Sequence, residues 1–423
     1  MKAGLQAGFA ETGITPPIGT HKIGWLKDIV AESIHDPLHA RAAVFESGGG
    51  RVGFVQLDTL SVRWTTTQDI RRGIEAQYGF PGRNVMVAAT HNHGGPAVAH
   101  CGDVPRDDAY VEGMTRKCVR AFGEALDGRR EVQLSFHHAC EFDVGANRRV
   151  VMRDGTTRTH ARFTEPEAVY IEGPIDPEVA VLAARDADGA LLGVLVNFAC
   201  HPTHLGGGTE FTAGYPGVLA GEMKVRGCPV TLFLNGPCGN VSCEQPTGRH
   251  VITMEEAGAR LAEDAWRAIE AMEFSADWAF SAASTTVTLP YRTVTEGQVK
   301  GTVRGAQRFI DPALYDKDMP ALRERIRTRG VQPAEVQALF LGTVAVVGIP
   351  AEYFVEFGLR IKTSCHPRHA LVAAHANGMV GYVPTREAFE RGGYETTFGP
   401  HSRMAPEAGD LLADAAIRLI QQH

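Results

Sequence analysis

The sequence predicts an α/β fold, mixed β-sheets covered by helices with a metal site at the C-terminal ends of strands, on three observations. Apolar runs rich in Val, Ala and Leu at 84–89, 191–200, 229–234, 338–349 and 370–376 read as buried strands. Stretches of helical period at 65–79, 106–128, 215–226, 252–272 and 407–422 alternate with them. Each run ends in Gly-rich polar punctuation carrying His, Asn or Glu, and open α/β sheets place their sites at such ends. The economical organisation is a single domain over 1–423, with insertions near 149–174 and 292–319, no internal repeat and no break in composition.

Taken in order, 8–19 is a short strand that turns at Thr15-Pro16-Pro17. An apolar strand beginning beyond Asp36 pairs with 51–57 through a hairpin at Gly48-Gly49-Gly50. Asp58 ends the second arm, where its carboxylate is expected to orient a metal-bound imidazole. Helix 65–79 feeds the strand at 84–89, which breaks into Thr90-His91-Asn92-His93 and then Gly94-Gly95-Pro96. Residues two apart in extended backbone project to one side, so His91 and His93 can converge on one ion, or on an ion and its substrate.

Helix 106–128 presents Tyr110, Met114, Cys118 and Phe122 as a core stripe. Strand 131–144 carries His137-His138, whose opposite faces prevent joint ligation in regular geometry. Arg148, able to hold a carboxylate of substrate or protein, precedes 149–174, a segment with few apolar anchors that reads as a long loop or lid. The second run delivers His201-Pro202-Thr203-His204. The third opens into Asn235-Gly-Pro-Cys-Gly-Asn-Val-Ser242, whose backbone N–H groups can gather around an anion. Between these two runs, Pro216 stands in the first turn of helix 215–226. Segment 278–291 reads as a strand, 292–319 as an irregular cap, and 322–329 as a basic, solvated helix. The fourth run delivers Glu352 at the start of a helical pattern, and the fifth leads to Gly381-Tyr382. A short helix at 386–391, a loop with Tyr394 and His401, and a terminal helix complete the chain.

With 44% hydrophobic and 22% charged residues, the chain of 423 has the composition of an ordinary globular protein. A net charge of -7 gives no electrostatic footprint for nucleic acid. No stretch reaches the roughly 18 apolar residues of a membrane helix, and residues 1–6 lack the apolar core of a leader. Eight cysteines without a Cys-x-x-Cys pair read as free thiols in a reducing compartment, and the expected location is cytoplasmic. The expected partner is a small-molecule or lipid-like substrate.

Five patches, in order, carry a resemblance: Gly8-Phe9-Ala10-Glu11-Thr12-Gly13-Ile14-Thr15-Pro16-Pro17, the Ala-Thr-His91-Asn-His93-Gly-Gly-Pro segment, the loop ending in Ser242, Gly-Ile-Pro-Ala-Glu352, and Gly-Tyr382-Val-Pro-Thr-Arg-Glu. Together they resemble the neutral (non-lysosomal) ceramidases. The resemblance implies a zinc amidase that cleaves N-acylsphingosine. Its zinc ligands would fall on His91, His201, Glu352 and Tyr382. His93 would face the scissile group, Arg148 would match the family's Asn-Arg segment, and Ser242 the serine proposed there as nucleophile. The residues after His201 and Ser242 depart from the family pattern, and a C-terminal immunoglobulin-like domain has no room, so metal chemistry transfers better than the lipid substrate does.

A catalytic zinc site typically has three protein ligands and an open position. His91, His201 and Glu352 form such a set, with Tyr382 a weaker fourth. The expected reaction is hydrolysis of an amide or ester of a small N-acyl metabolite by metal-activated water. His93 or His204 would shuttle the proton, and Ser242 with its loop amides would bind the oxyanion. The alternative is a metal-dependent lyase or isomerase acting on a sugar or hydroxy acid, and a third reading is a metal-binding scaffold without catalysis.

Overall fold

A hairpin followed by a helix and a parallel strand recurs three times along the chain. The computed structural model describes residues 4–248 and 251–423; the first three residues, part of the stretch read for a leader, lie outside them. The first unit comprises β1 (Gln6–Gly13), β2 (His39–Ser47), β3 (Gly50–Leu57), α1 (Trp64–Tyr78), β4 (Val85–Ala89) and α2 (Asp108–Asp127). The second repeats it as β5 (Gln133–Cys140), β6 (Glu178–Arg185), β7 (Leu191–Phe198), α3 (Tyr215–Val225), β8 (Thr231–Asn235) and α4 (Met254–Glu270). The third runs β9 (Phe280–Pro290), α5 (Pro312–Arg329), β10 (Val331–Leu341), β11 (Val344–Gly348), α6 (Val355–Ser364), β12 (His369–Ala373) and α7 (Ala408–Gln421).

Each unit's first strand pairs antiparallel with its second, and the second antiparallel with its third. The third strand then pairs parallel with the fourth: Leu57 lies opposite Ala89, Phe198 opposite Asn235 and Gly348 opposite Ala373. A parallel pair needs a long crossover, and α1, α3 and α6 supply it. The expectation of no internal repeat is therefore corrected. Few equivalent positions carry the same side chain, so the repetition lies mainly in connectivity and burial.

The sheets pack through one shared apolar cluster that takes Phe45, Phe54 and Met86 from the first, Leu182, Leu195 and Leu232 from the second, and Leu339, Val346 and Leu371 from the third. Their other faces are covered by their own helices, α1 and α2, α3 and α4, and α6 and α7. Such two-sided burial explains why β4, β7, β8, β11 and β12 read as near-continuous apolar runs.

Two expected loops are partly regular. Segment 149–174 folds into a three-stranded sheet (Arg149–Met152, Thr157–Thr159 and Ala168–Ile171), and 292–319 contains the helix Glu296–Lys300 and the start of α5. The run at 338–349 is the end of β10 and all of β11, joined by a tight turn at Gly342-Thr343. All eight cysteines are free thiols. Among the described residues, no helix is long and apolar enough to cross a membrane.

At the middle of the molecule the C-terminal ends of β4, β8 and β12 are laced together by buried hydrogen bonds. The Val87 amide donates to Asn377 Oδ1 (3.0 Å) and the Asn377 amide to the Val87 carbonyl (2.7 Å). Asn235 Nδ2 donates to the Thr90 carbonyl (2.9 Å), and the Ala374 amide to the Asn235 carbonyl (2.8 Å). Asn377→Ala strands the buried Val87 amide, and is expected to cost about 1–3 kcal/mol in urea unfolding. An unchanged midpoint would show that the seam contributes nothing to stability.

Candidate metal centre

The three units each deliver polar side chains from their strand ends to one place. Two residues past β4, His91 sits at φ 67°, held by its amide donating to the Thr59 carbonyl (3.0 Å). The position two residues past β12 is His375, also left-handed at φ 55°, and its ring stacks on His91 with centroids 3.9 Å apart. A left-handed conformation costs a non-glycine residue roughly 1–2 kcal/mol, and here it turns both rings inward. His201 follows β7, its amide donating to the Val241 carbonyl (3.0 Å); Glu352 follows β11, its amide donating to the Gly381 carbonyl (3.0 Å).

His91 Nε2 and His201 Nε2 are 2.9 Å apart, and Glu352 Oε2 is 3.5 Å from each. His91 Nδ1 contacts the Leu60 carbonyl and His201 Nδ1 the Cys238 carbonyl, both at 2.7 Å. A carbonyl only accepts, so each Nδ1 carries the proton, and in the neutral ring each Nε2 presents a bare lone pair. Burial pushes His201 down to about 3, so its ring is uncharged at neutral pH. Two lone pairs at this distance repel; they do not form a hydrogen bond.

His93 adds a third lone pair, since its Nδ1 donates to the Gly24 carbonyl (3.0 Å) and its buried Nε2 has no partner. The ligand atoms of His91, His93 and His201 all lie within 4.8 Å of one another. Three imidazole acceptors and a carboxylate around one small volume are the electrostatic pattern of a cation site, and the residues fit a borderline metal such as zinc. Gly24 is required for the His93 contact, because its φ is 134° and a Cβ there would come within 2.9 Å of the His93 backbone.

Tyr382 Oη lies 3.5 Å from His201 Nε2 and accepts from Arg148 Nη2 (3.1 Å). Burial pushes the Tyr382 phenol well above its ordinary value, so it keeps its proton. Arg148 is itself held by Glu395 (Nε to Oε1, 2.8 Å) and by the Gly239 carbonyl (2.8 Å). The carboxylate that Arg148 holds is thus the protein's own.

Ser242 is fully buried, bridged to His201 through the backbone, and its hydroxyl makes no hydrogen bond. His204 contacts the Ile252 carbonyl through Nε2 (3.0 Å) and packs against Tyr215, outside the group of converging atoms. The role expected of Asp58 is corrected: it binds Arg41, Gln56 and the His39 amide, while the Leu60 carbonyl orients His91. His375 and Glu395 were not anticipated. The first had a signal, since Ala89-Thr90-His91 and Ala373-Ala374-His375 end equivalent runs, whereas a buried glutamate in an irregular loop has none.

Above the group opens a cavity of about 430 Å³, within the range of small-molecule sites. His91 and Glu352 reach into it; Ile23 and Leu26, α5 through Leu314 and Leu322, and the stretch after β12 through Met379, His401 and Arg403 form much of its wall.

The Glu395 linkage can be measured. Burial raises this carboxyl, but Arg148 and then Arg149 outweigh it and hold it at about 2, against an ordinary 4.5. A depressed carboxyl contributes stability above its unfolded pKa and loses it as pH falls through the folded one. Wild type should therefore lose roughly 3 kcal/mol through this group between about pH 4.5 and 2. Glu395→Gln should flatten that part of the stability profile; an unchanged profile would mean the pairing carries no linkage.

The N-terminal profile of the neutral/alkaline non-lysosomal ceramidases matches residues 6–215. The neutral ceramidase of Pseudomonas aeruginosa is 25% identical over 467 aligned positions, covering 91% of this chain and 67% of that protein. The Drosophila melanogaster neutral ceramidase is 23% identical, covering 81% of this chain, which spans only 53% of the fly protein. Among solved structures, a ceramidase complexed with C2 superposes with a TM-score of 0.77 at 20% identity, over 99% of this chain and 76% of that one. The Pseudomonas aeruginosa neutral ceramidase superposes at 0.76 and 19% identity, over 99% and 75%. The profile over residues 6–215, the two relatives and the fold together liken this chain to the neutral/alkaline non-lysosomal ceramidases.

Proposed function

We propose that this chain is a zinc-dependent hydrolase that cleaves the amide, or an ester, of an N-acyl compound. The observation that carries the reading is the convergence of three bare imidazole nitrogens and the Glu352 carboxylate on one volume at the floor of a cavity. The names of the relatives add the bond type, and ceramide is one candidate substrate.

His91, His201 and Glu352 would hold the ion, with Tyr382 beside them. A bound zinc ion supplies positive charge that polarises an acyl carbonyl and acidifies water. The Tyr382 hydroxyl accepts from Arg148 and lies 3.5 Å from His201 Nε2, so with that nitrogen holding the ion its proton would be released to point at negative charge developing on the carbonyl oxygen. His93 Nε2, bare and buried, would take a proton from the attacking water and return it to the leaving nitrogen. Water adds to the acyl carbon, the C–N bond breaks, and the products are a carboxylic acid and an amine. Ser242 is a poor nucleophile here, because no base touches its hydroxyl.

Elemental analysis of the purified protein should find about one zinc per chain, and His201→Ala should lose it together with turnover of N-acyl amides. Full retention of zinc by His201→Ala would remove the assignment. Hydrolysis in ¹⁸O water should place the label in the carboxylic acid. Turnover without label incorporation would favour the lyase or isomerase alternative.

A further inference from the structure

The cavity above the metal group carries guanidinium groups that the protein does not neutralise. Arg63, at the N-terminus of α1, faces the cavity, and its side chain makes no hydrogen bond or ion pair among the described residues. Burial, and after it the charges of Arg106 and Arg325, hold Arg63 below the usual arginine range. Arg403 is only 7% exposed and makes no ion pair among the described residues. Its Nη atoms donate to the Pro400 and Met379 carbonyls and the Tyr291 phenol lies beside it, while its buried Nε has no hydrogen-bond partner. Burial and the nearby Arg63 and Arg325 push Arg403 down to about 10. Arg325, on α5, lines the same cavity without an ion pair among the described residues. Arg106 reaches Asp108 at 3.1 Å through Nη1, but its buried Nε is also unpartnered.

Two acids line this wall, Asp318 and Glu352, and the second belongs to the metal group. Positive charge therefore exceeds negative at a partly desolvated surface. Gathering like charges away from water costs free energy, and a neutral substrate would bury them without compensation. An anion would offset that cost with charge-assisted hydrogen bonds, and the planar guanidinium matches carboxylate and phosphate alike.

We propose that the substrate is an amide bearing an anionic group, a carboxylate or a phosphate, that is bound by Arg63, Arg325 and Arg403 while its acyl carbon lies against the His91, His201 and Glu352 group. This rests on the hydrolase reading for the reaction but not for the binding. An N-acyl amino acid is the simplest member of the class.

The test uses the metal-loaded full chain and matched probes: N-octanoylglycine, with the carboxylate on the amine half, N-octylsuccinamic acid, with it on the acyl half, N-octanoyl-ethanolamine phosphate, and neutral N-ethyloctanamide. Binding is measured by calorimetry alongside hydrolysis. At least one anionic probe should bind and be cleaved with a kcat/KM ten or more times that of the neutral amide, and the preferred probe identifies which half and which anion the site takes. Arg63→Met and the exposed Arg325→Met should each lower the anionic-to-neutral ratio by about tenfold to a hundredfold, the loss typical of hydrogen bonds to a charged group. Arg403→Met should do the same if it folds, which melting temperature and metal content report; the other two variants decide the matter if it does not. Equal binding of neutral and anionic probes, or ratios unmoved by Arg63→Met and Arg325→Met, would overturn the proposal and leave the hydrolase reading standing. Anion binding lost in the variants without cleavage of any probe would uphold the anion site and overturn the hydrolase reading.

Discussion

Two imidazole lone pairs forced to face each other are the constraint on which the rest of this structure depends. The Leu60 and Cys238 carbonyls fix the His91 and His201 tautomers, so the repulsion between the two Nε2 atoms cannot be relieved by a proton shared between neutral rings. A cation relieves it. The surroundings are arranged to keep that geometry: His375 stacks on His91, Arg148 holds the Tyr382 phenol, and buried Glu395 holds Arg148.

The threefold repetition explains how one fold gathers these groups. Each unit ends its parallel strands at the centre of the molecule, where polar backbone would be exposed to a dry interior unless it were paired. Asn235 and Asn377 provide that pairing, which also locks the loops that follow. The units have diverged at equivalent points. His91 and His375 occupy the same place after β4 and β12, whereas Pro237 stands there after β8, and the second unit contributes His201 from the end of its third strand instead. The first and third units then supply the wall of the cavity, partly from the segments inserted between their first two strands and partly from those that follow their parallel strands.

His91, His93, His201 and Glu352 were legible in the sequence because a strand end is a local feature: apolar run, break, polar residue. What escaped was non-local. Arg148 and Glu395 meet across 247 residues, and nothing near either one marks the partner. The segment 149–174 looked like a loop because its apolar residues are few, yet its strands are tied down by the buried Arg149, which binds Glu172 and Glu395. The run at 338–349 hid a two-residue turn, since the strands on both sides of it are buried and the usual alternation is missing. The repeat was invisible for a related reason. Sheets buried on both faces constrain hydrophobicity but not identity, so three similar units need share no residues.

The account is tested most directly by X-ray absorption at the metal edge of the zinc-loaded protein, which reads the ligand atoms themselves. It predicts at least two imidazole nitrogens and a carboxylate oxygen at about 2.0–2.2 Å, with no sulfur. A sulfur shell near about 2.3 Å would place the ion on cysteine and contradict the site built from His91, His201 and Glu352.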